Sequence, residues 1–206
     1  MYGAPEIADR ILIAGQSGSG KGYLMTAIVS RWEQVAVIDS KGDPKAVIPN
    51  AKVTGDWREA VKALPGRVVY QPPRHEMRDH RKKVDAIIDR VLTLGYMGAA
   101  VHELNDAADE SSEGEAPAVF ELFRKGRFYA VPSAVCTQRP KRIPLVCRTE
   151  ASIAVTFVLI DPDDRDTMAA IIGPEVRTAP LALPFDRSFY VRDQRGRIQL
   201  VKGGIH

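Results

Sequence analysis

The sequence predicts an α/β fold: a mostly parallel central sheet flanked by helices, with a β-hairpin at the C-terminus. Three observations predict it. Strand-like and helix-like segments alternate along almost the whole chain. The first strand runs into a glycine-rich loop that opens the first helix. The first strand is also apolar on consecutive residues, as a strand buried on both faces is.

Arg10–Ala14 is a short apolar run that stops at Gly15. The loop Gly15–Gly22 follows, and Tyr23–Trp32 carries Leu24, Ile28 and Trp32 at helical spacing. Gln34–Ile38 is a second strand, ended by the turn residues Asp39–Pro44. Asp56–Leu64 reads as a short helix and Arg67–Tyr70 as a third strand, stopped by Pro72 and Pro73. Arg81–Leu94 is amphipathic, with Val84, Ile87, Ile88, Val91 and Leu92 on its apolar face. Gly98–Val101 is a fourth strand that leads into His102 and Glu103, and the acidic stretch Asp106–Pro117 reads as a mobile loop. Ala118–Lys125 is helical, Phe128–Cys136 and Ile153–Ile160 are strands, and Asp163–Ile172 is a helix ended by Gly173-Pro174. Arg187–Lys202 forms a hairpin that turns near Asp193–Gly196. With no internal repeat and no low-complexity linker, residues 1–206 read as a single domain.

Composition narrows the class. Of the residues, 45% are hydrophobic and 27% charged, which excludes a disordered chain or a collagen-like repeat. No apolar stretch approaches the roughly 18–20 residues that span a bilayer, so the chain is not expected to be transmembrane. Met1–Arg10 carries Glu6 and Asp9 and lacks the order of a signal peptide. Cys136 and Cys147 read as reduced core thiols of an intracellular protein. The 29 basic and 26 acidic residues leave a net charge of +3, too mild to imply nucleic-acid binding by itself.

The strongest motif is Gly15-x-x-x-x-Gly20-Lys21. Its glycines let consecutive N–H groups converge on one anion, the helix that follows adds its positive end, and Lys21 reaches the outer phosphates of a nucleotide. Gly15, Gln16, Ser17, Gly18, Ser19, Gly20, Lys21, Gly22 and Tyr23 are therefore the candidate nucleotide-binding residues, and ATP with Mg²⁺ the candidate cofactors. One position departs from the motif. A Ser or Thr hydroxyl after the lysine would hold Mg²⁺, and here Gly22 stands there, with Ser17, Ser19 or a water left to compensate.

Glu103 lies at a strand tip beside this loop, where a carboxylate can hold Mg²⁺ or orient the attacking water. It is the candidate general base. His102 occupies the position where an aspartate usually precedes it, and imidazole is a poor Mg²⁺ ligand. Both direct protein ligands are thus replaced. Glu103 and Asp39 are the candidate metal residues, with Asp106 as a further carboxylate; the other reading is that hydrolysis is weak.

Several pieces then fall in a familiar order: the phosphate loop, Val37-Ile-Asp-Ser-Lys-Gly42, His102-Glu103, Gly126-Arg127 and Thr137-Gln-Arg-Pro140. Phe157–Arg165 and the helix ending at Gly173 continue it. Over about residues 10 to 175, the sequence resembles the FtsK–HerA superfamily of DNA-pumping ATPases. The resemblance implies a RecA-like P-loop NTPase core that assembles with copies of itself into a ring, usually a hexamer, with ATP between neighbours. It implies that Gln138 senses the γ-phosphate and that an arginine from a neighbour assists hydrolysis. Arg124, Arg127, Arg139 and Arg148 are the candidates, and Arg127 is favoured because Gly126-Arg127 matches the family spacing.

DNA contacts are sought in the densest basic stretch, at Arg74, Arg78, Arg81, Lys82 and Lys83, and at Lys141 and Arg142. A solvated helix start of mixed charge is the alternative. The chain is little more than a motor core, which resembles the genome-packaging ATPases of tailless, membrane-containing icosahedral viruses. That resemblance implies an ATP-driven motor that moves DNA into a preformed capsid, with a capsid or membrane portal protein as partner. It would work in the host cytoplasm or in association with the virion. The alternatives are a plasmid or conjugative DNA-transfer ATPase, and a nucleotide-binding assembly protein with weak or no hydrolysis, which Gly22 and His102 favour.

Overall fold

The computed structural model describes residues 9–73, 79–178 and 187–203. Its strands are β1 (Arg10–Ala14), β2 (Val35–Asp39), β3 (Lys52–Thr54), β4 (Arg67–Tyr70), β5 (Gly98–His102), β6 (Ser133–Thr137), β7 (Ile153–Thr156), β8 (Phe189–Arg192) and β9 (Ile198–Val201). Among the described residues they form one sheet in the order β3-β4-β2-β5-β6-β1-β7-β8-β9. Neighbours are parallel as far as β7, and β8 and β9 then extend the sheet as an antiparallel hairpin. Parallel pairing needs a crossover connection between strands, and the helices between the apolar runs supply it, burying those strands on both faces.

The helices are α1 (Lys21–Val29), α2 (Trp57–Lys62), α3 (His80–Leu94), α4 (Leu104–Ala107), α5 (Pro117–Lys125), α6 (Leu145–Thr149), α7 (Pro162–Ile171) and α8 (Glu175–Thr178). Each face of the sheet has its own core. One gathers Leu12, Ile38, Val101 and Val135 against α3, α5 and α7, and the other gathers Ile11, Ile13, Val37 and Cys136 against α1. The apolar face expected for α3 is buried, with Val84, Ile87, Ile88, Val91 and Leu92 all below a tenth exposed. Both cysteines are buried and unpaired, and burial pushes their thiols up. No helix among the described residues is long and apolar enough to cross a membrane.

Several element boundaries differ from the sequence reading. The strand expected from Phe128 begins only at Ser133, because Gly126 to Val131 closes a turn, with Val131 N–H donating to Gly126 C=O at 2.8 Å. The strand expected to run to Ile160 ends at Thr156, where the chain continues beside the glycine-rich loop as an irregular segment. The short elements β3, α4, α6 and α8 carry too few residues to show a period in sequence.

The acidic stretch Asp106–Pro117 is not the mobile loop expected. Ala108, Ser112 and Ala116 are buried, and its carboxylates hold three arginines: Asp109 and Glu115 bind Arg81, Glu110 binds Arg148 and Glu113 binds Arg124. Its charge is answered within the chain, and its order follows from those contacts.

One close approach gives a direct test. A Cβ on Gly98 would stand 2.1 Å from the Trp32 ring, so the start of β5 passes the end of α1 only because residue 98 has no side chain. Gly98→Ala is expected to destabilise the fold by about 1–3 kcal/mol, read as a lower urea midpoint at unchanged slope.

Candidate functional site

The parallel register brings five strand ends to one edge of the sheet. Ala14 pairs with Thr137 and Thr156, and Asp39 with His102. The loops after β1, β2, β5, β6 and β7 therefore open together, and the phosphate-loop residues share that edge with Glu103 and Gln138.

The loop itself is tightly seated. Gly15 N–H donates to Thr137 C=O at 3.1 Å and Gln16 N–H to Val158 C=O at 2.9 Å. A Cβ on Gly15 would lie 2.6 Å from Ser19 Oγ and 2.8 Å from Phe157 Cβ. Gly18 and Gly20 have φ of 80° and 108°, conformations that favour glycine. The positive φ at Gly20 starts α1 at Lys21, two residues earlier than its sequence periodicity suggests. No side chain caps this helix start and no acid lies in its first turn, so its N–H groups and positive end face the loop uncompensated.

Glu103 is the hub of the edge. Its Oε1 lies 3.1 Å from Lys21 Nζ and 3.0 Å from Lys41 Nζ, and accepts from Gln138 Nε2 at 2.8 Å. Both Lys21 and Glu103 are 8% exposed. Burial raises the Glu103 pKa, but the Gln138 hydrogen bond and the charges of Lys21 and Lys41 outweigh it, so the carboxyl stays below the usual range. Glu103 also sits at φ +57°, a conformation that costs a non-glycine residue about 1–2 kcal/mol. Such strain persists where surrounding contacts over-determine it. Here three cationic or amide groups hold the carboxylate.

Around this hub, Thr137 Oγ1 bonds Asn105 Oδ1, and Arg139 N–H donates to Thr137 Oγ1 at 2.9 Å. These contacts tie α4 to the Gln138 loop. Lys41 and Asn105 went unmarked in the sequence, although Lys41 lies within the quoted Asp39–Gly42 turn. Arg187 was also missed. Its guanidinium lies 5.3 Å from the Tyr23 ring centre, and its Cγ stands 3.3 Å from where a Cβ on Gly20 would be, so it walls the loop.

Asp39 is 1% exposed, and its oxygens accept from Lys41 N–H at 3.1 Å, Asp43 N–H at 2.6 Å and Gln71 Nε2 at 2.9 Å. It shapes the turn that carries Lys41. Asp39→Ala leaves these donors without their acceptor and is expected to cost about 1–3 kcal/mol in a urea titration.

The protein ligands expected for Mg²⁺ are missing or engaged at this edge, and Ser19 Oγ, buried and without a hydrogen-bond partner among the described residues, is the hydroxyl the loop offers in their place. Gly22 has no hydroxyl, position 102 is an imidazole, the oxygens of Asp39 serve the turn, and Glu103 Oε1 faces two lysines. Among the described residues, no group of three or more potential metal ligands comes together.

The other candidates lie elsewhere. Arg127 is exposed in the turn before β6, level with Arg10, at the opposite end of the sheet from its own phosphate loop. Among the described residues it makes no ion pair, whereas Arg124, Arg139 and Arg148 are paired. Arg74 and Arg78 fall outside the described residues. Arg81 is bound to Asp109 and Glu115, and Lys82 is exposed beside Lys83 on the first turn of α3. Lys141 pairs with Asp163, and with Arg142 it lines a cleft of about 460 Å³ that also holds Asp109, Glu110 and Asp161. That mixture of charge is not the uniformly basic surface that phosphate contacts call for.

This is the RecA-like P-loop NTPase fold, with a parallel core, helices on both faces and a terminal antiparallel hairpin. Among solved structures, the genome-packaging NTPase B204 from Sulfolobus turreted icosahedral virus 2, in complex with AMP, matches with a TM-score of 0.75 at 17% identity, over 98% of this chain and 100% of that one. The cytoplasmic domain of the Thermomonospora curvata type VII secretion ATPase EccC matches at 0.65 and 12% identity, over 95% of this chain and 25% of that one. The pCW3 conjugation coupling protein TcpA, with ATPγS, matches at 0.60 and 16% identity, over 96% and 60%. By sequence, neither a family model nor a curated protein matches.

Proposed function

We propose that this chain is an ATPase that drives DNA through a ring of its own copies, packaging a viral genome into a preformed capsid. The observation that carries the reading is the cluster of buried Lys21 and Glu103 with half-buried Gln138, gathered at one sheet edge beside an uncapped glycine loop. Such a cluster can do three things. The loop N–H groups and Lys21 bind the phosphates. Glu103, held ionised, takes a proton from the attacking water. Gln138, already bonded to Glu103, aligns that water or reports the γ-phosphate through its amide.

The likeness in fold to the packaging NTPase B204, at a TM-score of 0.75 against 0.60 for TcpA, supports packaging over the conjugative alternative. The far-end placement of Arg127 supports action on another copy, because it cannot reach the phosphate loop of its own. A ring, with six copies the expected number, is the arrangement that the resemblance to the FtsK–HerA superfamily implies. A capsid or membrane portal protein is the proposed docking partner, with the motor in the host cytoplasm or bound to the virion.

The second reading is an assembly protein that binds nucleotide without turnover, and it rests on Gly22 and His102. Displacement of a third strand from duplex DNA separates the two. ATP-dependent displacement supports the motor. No displacement, together with nucleotide that is bound but not turned over with or without DNA, supports the assembly protein.

A further inference from the structure

The strand order β5-β6-β1-β7-β8 places the phosphate loop, which leaves β1, between two flanks of the sheet edge. Glu103 follows β5 and Gln138 follows β6, and they make one flank. Phe157 follows β7 and Arg187 precedes β8, and they make the other. Because β8 runs antiparallel to β7, its start opens on the same edge as the ends of the parallel strands.

This second flank is built against the loop. Arg187 Cγ and Phe157 Cε1 lie 3.3 and 3.4 Å from where a Cβ on Gly20 would stand. Phe157 is buried and packs on buried Phe189 of β8, their ring centres 5.0 Å apart, which anchors the strand that Arg187 leads into. The Arg187 guanidinium lies over the Tyr23 ring, 5.3 Å from its centre, and Tyr23 stands on the first turn of α1, 42% exposed. Arg187 is itself exposed, at φ +68°, a left-handed backbone that a residue with a side chain disfavours. Strain of this kind gathers at ligand sites. One flank thus offers a carboxylate and an amide, and the other a planar cation on an aromatic face.

A nucleoside triphosphate is as asymmetric as this edge. Its γ-phosphate belongs with the groups that can activate water, Glu103 and Gln138. The loop N–H groups take the phosphates behind it. The nucleoside then leaves on the flank away from Glu103, where its planar base meets a guanidinium and a phenol ring, both of which recognise π-faces.

We propose that Tyr23 and Arg187 form the platform on which the nucleobase stacks, so that the chain holds its nucleotide by the face of the base as well as by the phosphates. The proposal rests on the nucleotide-binding reading above.

The test is calorimetry, with Mg²⁺ supplied, of two probes: ATPγS, and inorganic tripolyphosphate, which has phosphates and no base. Tyr23→Ala and Arg187→Met, the latter keeping an aliphatic stem over Gly20, are each expected to weaken ATPγS about 5- to 150-fold, the range that stacking of one base spans, and to weaken tripolyphosphate far less. Tyr23→Phe keeps the ring and is expected to restore the ATPγS affinity that Tyr23→Ala loses. Thermal melts establish that each variant is folded. ATPγS affinity that either Tyr23→Ala or Arg187→Met leaves as in wild type overturns the proposal. So does an equal loss for the two probes in Arg187→Met, which places the guanidinium on phosphate rather than on the base. Wild type that binds neither probe overturns the nucleotide-binding reading itself. Binding of both probes that Lys21→Ala weakens, with Tyr23→Ala and Arg187→Met as wild type, overturns only the platform.

Discussion

Glu103→Gln is expected to keep ATP bound and to lower its turnover about 10²- to 10⁴-fold, the range that a positioned general base contributes. Glutamine preserves the shape and can still accept from Gln138 and the lysines, but it cannot take a proton. Lys21 Nζ lies 3.1 Å from Glu103 Oε1, so a bound phosphate and this carboxylate share one cation. Lys41 and Gln138 also hold Glu103, so the carboxylate keeps partners that do not depend on Lys21. Because these partners keep the Glu103 carboxyl below its usual range, the base form persists as pH falls into that range. Hydrolysis should therefore show no acid limb from this group near neutrality. Equal turnover in wild type and Glu103→Gln removes the carboxylate from the chemistry.

Lys21→Ala has the larger effect on binding. Removing a charged donor to phosphate costs about 1.5–3 kcal/mol, or roughly 10- to 150-fold in the ATP dissociation constant. The change also leaves a buried carboxylate with one cation fewer, so a lower melting temperature should accompany it. Titration with a fluorescent ATP analogue measures the first effect and a thermal melt the second. A variant that binds as wild type does would place the phosphates away from this loop.

Much of this edge was legible in the sequence because its motifs carry their own geometry. A glycine loop between strand and helix has few places to go, and the strand-end residues Glu103 and Gln138 follow once the strands are parallel. Lys41 was not legible as a partner of Glu103, since that contact depends on β2 lying beside β5, which no local pattern reveals. The acidic stretch was misread for a related reason. Its composition looks like solvent-exposed loop, but Arg81, Arg124 and Arg148 come to it from three different helices. Phe128–Val131 shows the limit of propensity. Aromatic residues there favour a strand, yet Pro132 and the positive φ of Ala130 turn the chain before β6 can begin. The two metal-site departures could each be read alone, but that the His102 ring lies 3.8 Å from where a Cβ on Gly22 would stand is a property of the fold.

The most direct measurement is steady-state ATP hydrolysis by the purified chain, with and without DNA and with and without Mg²⁺, beside Lys21→Ala and Glu103→Gln. The account predicts turnover that rises with DNA, falls about a hundredfold or more in Glu103→Gln and needs a higher ATP concentration in Lys21→Ala. Nucleotide that binds but is never turned over, with or without DNA and with Mg²⁺ supplied, would contradict it.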